Sequence, residues 1–228
     1  MTTLVLVRHG RTPLTGPVLA GWTPDLHLDA EGSAQATELA RRLAPIPFAA
    51  FVSSPLDRCL DTLAPILATR DGAGATVDDR FGECRYGAWT GKTLKELAKD
   101  PMWKVVQNHP SAAIFPDGES LAGVQARAVA AVRDWNARIG AEHGANAIWL
   151  ACSHGDVIKA IVADALGMHL DLFQRIVIGT CSATVIQYTD LRPFVVKVND
   201  TGDDLSALVP PKRRRRRTAS DATVGGGR

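Results

Sequence analysis

Residues 3–7, TLVLV, form an unbroken apolar run that halts at Arg8. Apolar side chains at consecutive positions fit a strand covered on both faces. Four more β-rich runs occur, at 49–54 (AAFVSS), 147–152, 183–188 (ATVIQY) and 194–198 (FVVKV). Between them the apolar spacing changes to threes and fours. After Asp29, a good N-cap, Ala36, Leu39, Ala40 and Leu43 mark one helical face. In SSPLDRCLDTLAPILA, Ser54 is placed as an N-cap, Pro55 as the first helical residue and Asp57 as the partner in a capping box. Leu56, Cys59, Leu60, Leu63 and Leu67 would line the buried face, with a kink or an end expected at Pro65.

Residues 81–92, FGECRYGAWTGK, read as a loop, and 93–99 as a short helix. The stretch from 101 to 118, broken by prolines at 101, 110 and 116, is expected to be a lid loop; His109, Trp103 and Phe115 could reach a ligand from it, although packing inside the lid suits the aromatics better. From 120 the helical pattern is strong, with Leu121, Val124, Ala128, Val132, Trp135 and Ile139 on one face; 155–166 repeats it with Val157, Ile158, Ile161 and Val162. Strands alternating with helices imply an α/β fold: a three-layer α/β/α sandwich around a mostly parallel central sheet. Ligands bind beyond the carboxyl ends of such strands. VLVRHGRT (5–12) and IWLACSHGD (148–156) each put a histidine and a glycine there, which groups His9 with His154.

Arg8, His9 and Arg11 crowd around Gly10. Cations this close repel one another unless an anion lies among them. A neutral imidazole at His9 would be a nucleophile for phosphorus; taken alone, a hydrogen-bonded core histidine is the commoner reading, and Arg8 beside it shifts the balance. Arg58 falls in the first turn of a helix, where the dipole disfavours a cation and a bound phosphate would reverse the sign; a solvated arginine is the alternative. Glu83, between Arg80 and Arg85, could protonate a leaving alkoxide or simply form a surface ion pair. Asp117 and Glu119 suit a helix start.

The order RHG, SSPLDRCLDT, ECRYGAWTG, PDGES and SHGD, over residues 3–190, resembles the histidine phosphatase superfamily, in the branch with cofactor-dependent phosphoglycerate mutases and small-molecule phosphatases. The resemblance implies a phosphoglycerate mutase-like fold. It also implies that His9 is phosphorylated, that Arg8, Arg58 and His154 hold the phosphoryl oxygens, and that Glu83 protonates the leaving group. Thr12, Thr15, Gly21 and Gly155 are expected as further substrate contacts. Thr15 stands where members often have asparagine, and Arg11 is left facing substrate or solvent. Glu83 to Pro116 lacks the long proline-rich insertion of true mutases, so a phosphatase acting on a small phosphorylated metabolite is expected. A phosphomutase is the alternative, and an inactive phospho-ligand binding module a further one.

The remaining features bound this picture. The chain has 228 residues, enough for one large domain, expected over 1–208. The net charge of +2 divides unevenly: from 212 onward there are seven cations and one anion, leaving −4 on the first 211 residues. The run KRRRRR at 212–217 is expected to sit in a disordered tail, 209–228, that could contact an anionic partner such as nucleic acid or a membrane surface. No apolar run approaches the roughly 20 residues of a membrane span, and no signal peptide is recognisable, so a cytoplasmic location is expected. The spacing of Cys59, Cys84, Cys152 and Cys181 fits neither zinc nor a redox pair, and no metal or other cofactor is expected. Small buried thiols are the expected role, with redox coupling the alternative. The oligomeric state is open, a homodimer included.

Overall fold

A computed structural model describes residues 1–202. Its strands are β1 (Thr2–Arg8), β2 (Phe48–Ser53), β3 (Ala75–Val77), β4 (Ala147–Ser153), β5 (Ala183–Tyr188) and β6 (Pro193–Asp200). Its helices are α1 (Ala30–Leu43), α2 (Asp57–Leu67), α3 (Leu94–Leu97), α4 (Pro101–Asn108), α5 (Leu121–His143) and α6 (Gly155–Ala165). The sheet order is β3-β2-β4-β1-β5-β6. Strands β1 to β4 are mutually parallel, and β5 runs against both β1 and β6. The result is a mixed, mostly parallel sheet with helices on both faces.

Alternation along β1 explains the layers. Leu4 and Leu6 join Trp149 and Ala151 of β4 in a core covered by α5 and α6, through Val124, Val132, Ile158 and Ile161. Val5 and Val7 face the other way, with Leu150 and Cys152, onto Leu39 and Leu43 of α1 and Leu63 and Ile66 of α2. A strand buried on both faces needs apolar side chains at every position, which is what TLVLV supplies.

Two expectations are corrected, and one strand is new. Helix α2 begins at Asp57 with Leu56 at its N-cap and no side-chain cap; the Ser54 hydroxyl accepts from the Leu56 amide at 3.3 Å and lies 2.7 Å from His154 Nε2. Its buried face runs through Cys59, Thr62, Leu63 and Ile66, while Leu60 is 36% exposed. Pro65 stays inside the helix, which ends at Leu67. The stretch 101–118 is not a lid loop. Pro101 sits in the first turn of α4 behind an Asp100 cap, and Trp103 and Phe115 are core residues. His109 points away, toward Asp171. Finally, β3 is a three-residue edge strand that no periodicity announces. The boundary expected at 208–209 and the basic run 212–217 lie outside the described residues. No described helix is long and apolar enough to cross a membrane.

Candidate active site

The parallel strands deliver their ends to one edge. Arg8 is in register with Ser153, and Ser53 with Cys152, so the residues that follow, His9, Ser54 and His154, emerge together. The rings of His9 and His154 come to 5.2 Å between centres.

Local hydrogen bonds fix this cluster. The amide of Gly10 donates to Thr62 Oγ1 on α2, and that hydroxyl donates to the Arg58 carbonyl. Gly32 packs so closely that a Cβ there would lie 2.0 Å from the Arg11 carbonyl oxygen. The Asp29 amide donates to that same oxygen. The turn after His9 is thus clamped between α1 and α2. Arg11 itself leaves the site, pairing with Asp29 and Glu31 at the start of α1.

His9 Nδ1 lies 2.7 Å from the Gly10 carbonyl oxygen. A carbonyl only accepts, so Nδ1 carries the proton and Nε2 keeps its lone pair. Burial, then Arg58 and Arg8, holds the His9 pKa well below the usual imidazole range. The ring is neutral at physiological pH.

Arg58 is 1% exposed. Its Nη2 donates to the Gly21 carbonyl (2.8 Å) and to His154 Nδ1 (3.2 Å). Its Nε and Nη1 are buried with no acceptor among the described residues. Buried guanidinium donors without partners are costly, and a phosphoryl oxygen is the acceptor that this geometry suits. Arg8 Nη1 donates to the Ile178 carbonyl at 2.7 Å.

Since Arg58 only donates, His154 Nδ1 accepts, and the proton on Nε2 goes to Ser54 Oγ. Burial and then Arg58 push the His154 pKa well down. His154 is therefore neutral in the free protein. It lies behind the cleft wall, fully buried, and Gly155 opens α6 beside it.

Glu83 is buried between two short turns. Its carbonyl accepts from Trp22 Nε1 (2.6 Å) and Arg127 Nη2 (3.0 Å), and its Oε1 accepts from the Cys84 amide (2.9 Å). Burial, and after it the buried carboxylate of Asp156, pushes the Glu83 pKa up to about 7. An acid that is half protonated at neutral pH can serve as proton donor and acceptor in turn. Glu119 is no helix-start residue. It accepts from the Arg85 amide and pairs with Arg127, bracing the Glu83 segment, while Ser120 caps α5.

The wall of the cleft includes Arg8, His9, Thr12, Thr15, Gly21, Arg58 and Glu83. The sequence did not single out Tyr86, Leu14, Val18 or Leu94, which also face it. Tyr86 donates to Asp156 Oδ2 at 2.9 Å, and Asp156 pairs with Lys159. Both Tyr86 and Asp156 stand inside motifs already noted, ECRYG and SHGD, but nothing in their spacing revealed the contact. The four cysteines are buried, and burial raises the Cys84 and Cys152 thiols, which disfavours reactive thiolates.

A glucosyl-3-phosphoglycerate phosphatase of Mycolicibacterium vanbaalenii is 31% identical over 74% of this chain and 76% of its own. A probable phosphoglycerate mutase, GpmB, of an Enterobacter species is 27% identical over 92% of this chain and 97% of its own. The structure of a phosphoserine phosphatase variant from Entamoeba histolytica, in complex with phosphoserine, superposes with a TM-score of 0.77 at 26% identity, covering 88% of this chain and 98% of that one. The family profile described as histidine phosphatase superfamily (branch 1) matches residues 4–201. This chain therefore belongs to the histidine phosphatase superfamily.

Proposed function

We propose that the protein hydrolyses a small phosphomonoester through a phosphohistidine on His9. The observation that carries this reading is the tautomer of His9: Nδ1 is committed to Gly10, and Nε2 is left as a neutral nucleophile beside the unpartnered Nε and Nη1 of Arg58. Nε2 attacks phosphorus in line, the bond to the ester oxygen breaks, and Glu83 gives that oxygen its proton. Water then attacks the phosphohistidine, the P–N bond breaks, and the Glu83 carboxylate takes the water's proton. Arg8 and Arg58 meet the charge that spreads over the phosphoryl oxygens. His154 holds Arg58 in place and borders the phosphoryl cradle with Gly155. Thr12, Thr15 and Gly21 contact the substrate side of the cleft. Two arginines supply the charge that this chemistry needs, so the reading calls for no metal ion.

The test is phosphate release from an aryl phosphate near pH 6, with chelator present, for wild type and His9→Ala. Release that survives the chelator and disappears in the variant supports the reading; release that persists in His9→Ala overturns it. Full-length similarity to a probable phosphoglycerate mutase favours a second reading, a phosphomutase. That reading predicts little hydrolysis alone and isomerisation of a monophosphate once a bisphosphate primer is added. Primer-independent release of phosphate at high turnover would count against it.

A further inference from the structure

The cleft wall divides by chemistry. Arg8, His9, Arg58 and Glu83 supply its ionisable groups near the strand ends, while Leu14, Val18, Leu19, Ala20 and Leu94 supply its apolar side chains. Among the described residues, Arg8 and Arg58 are the cations of that wall. The nearby arginines of the same segments are occupied elsewhere. Arg11 pairs with Asp29 and Glu31, Arg80 with Asp78 and Asp134, and Arg85 lies 3.7 Å over the Trp22 ring. Thr15, a polar side chain of the same wall, already accepts from the Thr12 amide and sits 3.0 Å from the Thr12 hydroxyl.

We propose that the site selects phosphomonoesters with an uncharged, largely apolar leaving group, an aryl or alkyl alcohol, and discriminates against esters that carry a second anionic group. This deepens the phosphatase reading above and rests on it. A carboxylate or second phosphate placed against Leu14, Val18 and Leu94 gives up hydration and gains no cation, which burial of an unpaired charge makes unfavourable. An apolar ring or chain in the same place loses only water-exposed surface.

The experiment compares kcat/KM for 4-methylphenyl phosphate and 4-carboxyphenyl phosphate, which share ring and ester bond. Wild type is expected to favour the methyl compound by at least about tenfold, mostly through KM. Leu14→Lys places a cation on the apolar wall and is expected to shrink that ratio at least about fivefold. Leu94→Lys is the second variant, used if the first fails to fold. Hydrolysis of both esters at equal rates, or preference for the carboxylate, overturns the inference and leaves the phosphatase reading standing. A tenfold preference that neither lysine variant alters also overturns it, because the discrimination then arises away from this wall. Turnover of neither ester overturns the phosphatase reading and the inference together.

Discussion

Oε2 of Glu83 lies 3.9 Å from Nδ1 of His154, and both side chains are almost fully buried. The distance is beyond hydrogen bonding, and Nδ1 already accepts from Arg58. His154 therefore gives Glu83 no proton and no positive charge in the free protein. The protonation of Glu83 is set by burial and by Asp156 against the pull of Arg58, the Cys84 amide and Arg8.

This fixes the sign of the pH dependence. In the proposed mechanism the first chemical step needs Glu83 protonated, and its pKa is raised to about 7. The rate of that step is expected to hold below pH 7 and to fall as pH rises through it. His9, with its pKa held well below the usual value, stays neutral and nucleophilic to well under pH 6.5. Single-turnover kinetics across pH check this, and Glu83→Gln is expected to lose the basic limb with about a hundred- to ten-thousandfold loss in kcat.

Asp156→Asn removes the second contribution to that raised pKa while leaving an oxygen for Tyr86. The basic limb is expected to move to lower pH. Stability is expected to fall by up to about 3 kcal/mol, since Lys159 is left buried beside a neutral amide. The pH–rate profile together with a denaturant melt separates the two effects.

Arg58→Lys keeps the charge and loses the fork. A single ammonium cannot serve Gly21, His154 and a phosphoryl oxygen at once. A loss of about a hundred- to a thousandfold in kcat/KM is expected, measured with the same aryl phosphate. Near-wild-type activity would mean that the buried guanidinium is structural.

Gly32→Ala touches no reacting group. Its Cβ would lie 2.0 Å from the Arg11 carbonyl oxygen, so either α1 or the turn after His9 must move. Overpacking of this kind costs about 1–3 kcal/mol, and activity is expected to drop further than the melting temperature alone explains.

Deletion of residues 209–228 is expected to leave turnover of the aryl phosphate nearly unchanged. A collapse of activity in the truncated protein would place part of the catalytic domain beyond residue 208.

Residue type and spacing carried much of this site. Arg8, His9 and His154 were legible because apolar runs end where their strands end, and parallel strands end together. Arg58 was legible as a cation in a helix's first turn, the wrong place for one without an anion. Ser54 misled because a serine before Pro55 satisfies the cap pattern; only the structure shows its hydroxyl next to His154. The stretch 101–118 misled because proline was weighed as a breaker, although Pro101 occupies the one turn of α4 where no amide is needed. Tyr86 and Asp156 meet across the fold, and no local pattern encodes a contact between a loop and a helix so far apart in sequence.

The hydrogen bond from His9 to the Gly10 carbonyl also decides regiochemistry. An imidazole has two nitrogens that can be phosphorylated, and the resulting isomers differ in chemical shift and in lability. Because Nδ1 is turned inward to its own chain, a phosphoryl group taken by His9 is confined to Nε2. The trapped protein would carry one phosphohistidine isomer, and phosphorus NMR of the acid-sensitive species would display a single resonance.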